Sequence, residues 1–258
     1  MPLSLRDRTS LNLQKAISYC LLLILDPVVR ALYYFYFRFT VDGDTKRLNS
    51  IRSKYAEIRR AHPGPLLICT NHLTYIDSLI QAVILSSTWN YLGNLSGLAW
   101  NLPERKNFYH KFIYRVICYL GRCIPVERGA SPAEAKRVTN QMLHVLRHNG
   151  IISIFPEGKR SRTGKVDDED FSYGVGQLLN EIPEASVLCV YMRGTRDGGF
   201  THFPGKGERY YMDMEIFEPV SELKGLRRAR DVSTQIISRL KEMETKYFDS
   251  DGKTAEIH

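Results

Sequence analysis

Residues 66–77 read LLICTNHLTYID, and this stretch decides the fold. Its first part, residues 66–70, is a short apolar run of the kind that forms a parallel strand buried on both faces. The segment before it, HPGP at 62–65, is rich in proline and glycine and ends the preceding element. The polar residues Asn71 and His72 follow at the carboxyl end of the predicted strand, where open α/β sheets collect their reactive groups. We therefore predict an α/β sheet with a polar site directly after residue 70.

The rest of the chain repeats this alternation of helical and strand patterns. Apolar residues at three- and four-residue steps predict an amphipathic helix over 45–61, and the pattern at 210–217 predicts a strand near a sheet edge. Further strands are predicted at 120–126, 151–155 and 186–192, and further helices at 74–86, 131–149, 171–181 and 221–247. Such alternation is typical of the α/β class, with a single sheet flanked by helices on both faces.

The most apolar part of the chain lies near its start. Residues 19–41 read YCLLLILDPVVRALYYFYFRFTV, and Asp26, Pro27 and Arg30 interrupt the run near its middle. A clean transmembrane helix needs about 20 mostly uncharged residues, so two short helices broken at Asp26-Pro27 fit better. We predict an N-terminal membrane-associated helical pair in residues 1–44, followed by an α/β domain in 45–258. A buried core helix is the alternative, and a cleaved signal peptide is disfavoured because the run is short and no small-residue cleavage site follows.

The charge of the chain indicates an anionic partner. The 258 residues carry a net charge of +8, and the first 60 hold eleven Lys and Arg against five Asp and Glu. This positive excess coincides with the apolar segment, and no helix-turn-helix, zinc or RNA-binding pattern is present. We therefore expect a membrane lipid surface as partner and no nucleic acid.

The cysteines bear on the compartment and on metal binding. There are five, an odd number, and they are scattered and mostly set among apolar residues. They are typical of reduced residues in a cytosol-facing protein. Cys118 and Cys123 have no partner at a metal-binding offset, so we predict no metal and no cofactor.

His72 and Asp77 are the candidate reactive pair. In one continuous helix they would lie about 140° apart, so the chain must bend between them. Thr74 is a good N-cap residue and would start the helix, which leaves His72 in a loop and Asp77 in the first turn. A carboxylate that holds one ring nitrogen of a histidine fixes its tautomer, as a general base acting on an alcohol requires. Alternatively, Thr74 and Asp77 form only a helix-capping box. This segment alone leaves both interpretations open.

Two further polar segments lie at the ends of predicted strands, GRCIPVER at 121–128 and FPEGKRSR at 155–162. Together with the Asn-His-x4-Asp pattern at 71–77, they resemble the motif blocks of the glycerolipid acyltransferases of the 1-acyl-sn-glycerol-3-phosphate (lysophosphatidic acid) acyltransferase type. The matching positions are Asn71, His72, Asp77, Gly121, Ile124, Pro125, Val126, Arg128, Phe155, Pro156, Glu157, Gly158, Arg160 and Ser161. The three blocks stand in the order of that family, and the resemblance covers roughly residues 60–220.

The resemblance implies a reaction and roles for individual residues. His72 would deprotonate the acceptor hydroxyl, which attacks the thioester directly, and Asp77 would orient the imidazole. The residues implied to bind the substrate are Arg128, Glu157, Gly158, Lys159, Arg160 and Ser161. The implied donor is acyl-CoA or acyl carrier protein, and the implied acceptor is 1-acyl-sn-glycerol 3-phosphate, which would give phosphatidic acid in phospholipid biosynthesis. The implied location is the cytoplasmic face of a membrane, the inner membrane if the source is bacterial.

The sequence also departs from the family at several positions. Lys159 stands where Thr is usual, no basic residue precedes Gly174, no proline lies in the run 186–191, and Trp100 occupies a region that is often Ala-Lys. The acceptor therefore stays open between lysophosphatidate, favoured by the basic residues around Lys159, and another lysophospholipid or a lyso-aminolipid. A non-catalytic lipid-binding membrane protein is a further alternative, although it has no need for His72 and Asp77. In another open interpretation, Glu157 and Arg160 form nothing more than an ion pair across a turn.

Overall fold

The computed structural model describes residues 3–41, 45–94, 97–195 and 203–250. Its helices are α1 (Leu5–Cys20), α2 (Leu22–Ala31), α3 (Thr45–Ala61), α4 (Asp77–Leu85), α5 (Thr88–Gly93), α6 (Arg105–Phe108), α7 (Phe112–Leu120), α8 (Pro132–Arg147), α9 (Gly174–Glu181) and α10 (Gly225–Ser250), and a π-helical turn (Leu32–Tyr36) continues α2. Its strands are β1 (Thr40–Val41), β2 (Leu66–Thr70), β3 (Trp100–Asn101), β4 (Ile151–Ile154), β5 (Ser186–Gly194) and β6 (Arg209–Phe217). The predicted α/β class is confirmed. The predicted division after residue 44 falls at the gap 42–44, outside the described residues, and stays a prediction.

The described strands form one mixed sheet in the order β1-β6-β5-β2-β4-β3. Strand β2 lies inside it, parallel to β4 on one side and to β5 on the other, and all five of its residues are buried. The short apolar run predicted this, because a strand covered on both faces needs no polar alternation. Strand β6 is antiparallel to β5 and is followed at the edge by β1. The prediction of a strand near the edge at 210–217 is therefore confirmed.

Two apolar cores cover the two faces of the sheet. One contains Leu67 and Val187 of the sheet with residues of α8, α9 and α10, and the other contains Ile68 and Leu188 with residues of α3 and α4. Alternate residues of each central strand thus enter opposite cores, which is the consequence of the two-residue period of a strand. The sheet is thereby held as a rigid platform, and the ends of β2 and β4 lie at the same edge.

Three details of the local prediction differ from the structure. The segment 120–126 is extended only in its second half: α7 continues to Leu120 and the chain turns through Arg122 with a φ of 52°, after which Cys123 and Val126 form isolated parallel bridges with Asn101 and Glu104. Helix α4 begins at Asp77, not at Thr74. The N-terminal helices separate at Leu21, not at Asp26-Pro27. Helix α2 runs through Asp26 because its carboxylate pairs with Arg30 one turn later at 2.7 Å.

The first helix packs on the body of the protein with a mostly polar side, on which Leu11 enters the core. Asp7, Gln14 and Ser18 are buried against α7, α8 and residues 119–123, whereas Leu5 and Leu13 face outward. Among the described residues, no single helix is both long and apolar enough to cross a bilayer. The helical stretches 5–20 and 22–36 reach that length and composition only as a pair, bent by 66° at the break.

Candidate active site

The loop that joins β2 to α4 carries the first group of candidate residues. Asn71, the residue after β2, is buried, and its side-chain amide donates to the carbonyl of Met192 at 2.9 Å and accepts from the amide of Met192 at 2.8 Å. This double hydrogen bond ties the loop to β5. The loop therefore leaves the sheet in one fixed direction, and His72 takes its position from it.

His72 and Asp77 are in direct contact. The Nδ1 atom of His72 lies 2.9 Å from Oδ2 of Asp77, and the Asp77 side chain is buried. The same Oδ2 accepts from the backbone amides of Leu73 at 2.6 Å and Thr74 at 2.8 Å, while Oδ1 accepts from the Thr74 hydroxyl at 2.5 Å. The sequence left two interpretations open, a reactive pair and a helix-capping box. The contacts are compatible with both, because one carboxylate closes the turn and also holds the imidazole.

The imidazole of His72 has one free edge. With an ionised carboxylate, which can only accept a hydrogen bond, this contact requires the proton on Nδ1, and the neutral ring then has its lone pair on Nε2. Among the described residues none bonds to Nε2, and 19% of the side chain is exposed. One ring face stacks on Phe155, with centroids 4.0 Å apart and planes inclined by 13°. The ring is therefore fixed in orientation while its basic nitrogen remains open to a substrate.

Glu157 accepts a hydrogen bond from the backbone of His72. Its Oε1 accepts from the backbone amide of His72 at 2.7 Å and its Oε2 from the amide of Asp167 at 3.2 Å, while the carbonyl of His72 accepts from the amide of Ser161 at 2.8 Å. Burial raises the pKa of Glu157 to about 8, against the opposing effect of these two backbone donors. Glu157 and Ser161 thus hold the backbone of His72 at both its amide and its carbonyl.

Arg128 links the motif segment 121–128 to the motif segment 155–162. Its guanidinium donates to the carbonyl of Gly158, and its backbone amide donates to Glu104 at 3.3 Å. Gly158 has a φ of 67°, a conformation that side chains other than glycine rarely adopt. Much of the Arg128 side chain is exposed. A guanidinium therefore stands next to a glycine turn on the open side of the FPEG segment.

The remaining predicted substrate-binding residues divide into two groups. The guanidinium of Arg160 lies over the ring of Tyr75, 3.7 Å from its centroid, and so stands beside the loop 71–77. Lys159 instead pairs with Asp170 at 2.6 Å and Asp167 at 2.9 Å, which raises the pKa of its ammonium group. The buried hydroxyl of Ser161 donates to the carbonyl of Lys165 at 2.6 Å. Arg128 and Arg160 are thus near the open side, whereas Glu157 and Ser161 are used within the fold.

Three contributors to the site escaped the sequence analysis in these roles. Phe155 forms the platform under His72, and its place at the end of an apolar strand, directly before a Pro-Glu-Gly turn, was a usable signal. Glu244 of α10 accepts from the backbone amide of Val166 at 3.0 Å, and Lys241 donates to the Val166 carbonyl at 3.1 Å. No sequence pattern indicates Glu244 and Lys241, because they lie about 80 residues after Val166, on a helix with many charged positions.

Comparison with known proteins places the three motif segments within one family. A family model described as Acyltransferase matches residues 50–193, which is more than half of the chain. The match includes the loop 71–77 and the segments 121–128 and 155–162. No curated protein matches the chain.

Proposed function

The chain belongs to the acyltransferase family, and from this premise we propose that it is an O-acyltransferase of glycerolipid synthesis. The proposed acceptor is the free hydroxyl of 1-acyl-sn-glycerol 3-phosphate, the proposed donor is acyl-CoA or acyl carrier protein, and the proposed product is phosphatidic acid. The observation that carries the proposal is the contact between His72 and the buried Asp77, with Nε2 left open. A module that only binds lipid has no use for a basic nitrogen held in this way.

The geometry supports direct transfer without a covalent enzyme intermediate. Nε2 of His72 takes the proton of the acceptor hydroxyl as its oxygen bonds to the thioester carbonyl carbon. The carbon–sulfur bond then breaks, and the thiolate leaves with the proton that the imidazolium returns. Asp77 is 2.9 Å from Nδ1 and stabilises the imidazolium while it exists.

Arg128 and Arg160 are the proposed ligands of the acceptor phosphate. A guanidinium presents two parallel donors that match phosphate oxygens, and both residues lie beside the FPEG segment or the loop 71–77. Gly158 lets the backbone come close to the glycerol. In this proposal Glu157 and Ser161 act by holding the loop, and Lys159 contributes little charge because two carboxylates neutralise it.

The two carboxylates beside Lys159, those of Asp167 and Asp170, favour a second candidate acceptor. Asp170 is largely exposed beside Lys159, and an exposed carboxylate can pair with an ammonium group on a lipid head. A lysophospholipid with an amine, or a lyso-aminolipid, would use it. Lysophosphatidate would not.

Membrane association at the cytoplasmic face is part of the proposal. Leu23, Ile24 and Val28 of α2 are each more than half exposed, and Phe35 of the following turn is 81% exposed. Large apolar side chains gathered on one short segment are typical of a surface that enters a bilayer. The five cysteines are free thiols, as expected of a protein in a reducing compartment. Membrane lipid is thus the proposed partner, in preference to nucleic acid.

The decisive experiment measures thiol release from acyl-CoA by the purified full chain in detergent micelles, with a panel of lysolipid acceptors. Acyl carrier protein thioester is tested as a second donor. We expect turnover with lysophosphatidate, and we expect His72→Ala to lose at least about a hundredfold in kcat. His148→Ala is the matched control, because His148 is an exposed histidine at the end of α8.

The possible outcomes separate the reaction from its acceptor. Undiminished turnover in folded His72→Ala would refute the mechanism. Turnover with lysophosphatidylethanolamine and none with lysophosphatidate would transfer the proposal to the second candidate acceptor. No turnover with any donor and acceptor, together with retained lipid binding, would establish the non-catalytic alternative.

A further inference from the structure

A large groove lies between α1 and α7, and no residue of the loop 71–77 lines it. Helix α8 and residues 105–110 close its other sides, and its volume is about 900 Å³. This is within the range of pockets that hold small-molecule ligands. None of the residues assigned above to the reaction lines it. The residues assigned to the reaction therefore do not account for the groove.

The floor of the groove is apolar. Leu11 of α1, Val138 of α8 and the loop residue Ile124 belong to the main core and also line the groove, and Val116 and Tyr119 of α7 continue the surface. A surface of this kind takes a hydrocarbon chain, because contact with it removes apolar area from water.

The rim of the groove is basic and unneutralised. Arg6, Lys106 and Arg115 line it, all three are exposed, and none of them forms an ion pair with any residue that the structure describes. The two other arginines of the lining differ, since Arg105 pairs with Glu134 and Arg137 with Asp7. Three unpaired cations at the edge of an apolar floor fit an amphiphile with an anionic head.

The walls of the groove are fixed by buried polar contacts. Arg137 donates to the buried Asp7 at 2.6 Å, and the buried amide of Gln14 donates to the carbonyls of Tyr119 and Cys123 at 2.9 and 3.2 Å. These contacts join α1 to α8 and to the end of α7. The groove is thus a built part of the fold and not a gap between loosely docked helices.

The outer side of α7, next to the groove, is apolar and exposed. Phe112 is 78% exposed, and Ile113 and Ile117 are each 57% exposed. Phe112 also lines the groove, so the apolar face of α7 and the mouth of the groove adjoin. Lys111 and Arg115 flank that face, a composition typical of a helix lying in the interface of an anionic membrane.

We propose that this groove binds an anionic membrane phospholipid at a site separate from the His72 loop. One acyl chain lies along Leu11, Ile124 and Val138, and the headgroup phosphate is held by Arg6, Lys106 and Arg115. The contact is noncovalent and requires neither a donor thioester nor turnover. Charge complementarity at the rim selects an anionic head over a zwitterionic one, and the apolar floor selects a lipid over a free phosphate.

The test is equilibrium binding of dihexanoyl phosphatidylglycerol, below its micelle concentration, to the full chain by titration calorimetry. We expect saturable binding of one lipid per chain, at least about tenfold tighter than that of dihexanoyl phosphatidylcholine, as the loss of charge-assisted hydrogen bonds predicts. The triple variant Arg6→Glu, Lys106→Glu, Arg115→Glu should lose this preference. The triple variant Lys224→Glu, Arg227→Glu, Lys246→Glu makes the same charge change at exposed positions near and on α10 and should keep it.

Two further variants locate the ligand. Val138→Trp fills the floor and should weaken binding of both lipids, and the charge variants decide the matter if this variant does not fold. His72→Ala should bind phosphatidylglycerol as the unmodified chain does, whether or not that chain transfers acyl groups. Equal binding by the groove charge variant, weaker binding in His72→Ala, or full competition by inorganic phosphate or CoA would each overturn the proposal.

Discussion

The loop 71–77 and helix α1 both bury polar side chains, but they do so to different ends. In the loop, Asp77 accepts three hydrogen bonds at one oxygen, and one of the donors is an imidazole whose second nitrogen stays open. In α1, Asp7, Gln14 and Ser18 are also buried, and each bonds to another part of the protein. Burial of polar groups alone therefore does not distinguish the two regions. The difference is the open Nε2 atom of His72, on which the proposed function depends.

The two regions also differ in the exposure of their apolar residues. Around the loop, the residues of β2 are buried and Phe155 is half-buried, whereas α1 turns Leu5 and Leu13 outward and α2 exposes Leu23 and Ile24. The N-terminal helices thus expose several large apolar side chains, although Leu11 and Leu22 are buried. Exposed apolar residues of this kind are what the proposed membrane association expects.

Replacing Asp77 by Asn is expected to have the largest effect. The amide introduced by Asp77→Asn would favour the wrong imidazole tautomer, and kcat should fall by about 10³ to 10⁴. Thiol release from acyl-CoA measures kcat, and thermal unfolding shows whether the loop still closes. Asp249→Asn is the matched control, because Asp249 is exposed near the end of α10; its kcat should change by no more than about threefold. A folded Asp77→Asn protein with more than a tenth of the kcat would show that the contact with His72 serves only the fold.

Replacing Glu157 by Gln should alter the dependence of stability on pH. The pKa of Glu157 is about 8 in the folded protein, against 4.5 as its ordinary value. Between these values the folded state retains a proton that the unfolded state releases, so the free energy of unfolding falls as pH rises through this window. This contribution is complete below pH 4.5 and is lost by roughly pH 8, and it amounts to roughly 3 kcal/mol between pH 5 and 8.

Urea unfolding at pH 5, 6, 7 and 8 measures this decline. The Glu157→Gln protein should show a flatter profile because a glutamine does not titrate. Glu181→Gln, at an exposed position at the end of α9, is the matched control and should leave the slope unchanged. Equal slopes for Glu157→Gln and the unmodified chain would mean that Glu157 is ionised throughout, held so by the amides of His72 and Asp167.

The sequence predicted the loop 71–77 better than the N-terminal helices, for physical reasons. Strand β2 was predicted to the residue, because five buried positions in a row leave a local signature, and the bend between His72 and Asp77 followed from helix geometry. The inward face of α1 was not predicted, since its partners Tyr119, Cys123 and Arg137 lie more than 100 residues away. The strand predicted at 120–126 begins too early, because α7 extends to Leu120, and only Cys123 and Val126 bridge to Asn101 and Glu104.

Replacing Gln14 by Ala should cost a moderate amount of stability. The carbonyls of Tyr119 and Cys123 would lose their donor in a part-buried setting, and we expect the free energy of unfolding to fall by about 1–3 kcal/mol. Urea unfolding at a single pH measures it. Asn12→Ala, on the exposed side of α1, is the matched control and should change stability by less than about 0.5 kcal/mol. Equal values for the two variants would mean that α1 is not fastened by its polar side.

Replacing Leu23 and Ile24 together by Gln should have the smallest effect on the fold and a clear effect on membrane binding. Both side chains are 62% exposed, so the free energy of unfolding should change by less than about 1 kcal/mol. Sedimentation with phosphatidylglycerol–phosphatidylcholine vesicles should show partitioning weakened by at least about tenfold, since each side chain loses its transfer into the bilayer. Val220→Gln with Leu226→Gln is the matched control, because these residues are equally apolar and at least 77% exposed at the far end of the chain. Weakening by both pairs alike would indicate unspecific adsorption, whereas weakening by the α2 pair alone would show that the outward apolar residues of the N-terminal helices contribute nothing to folding and act only against lipid.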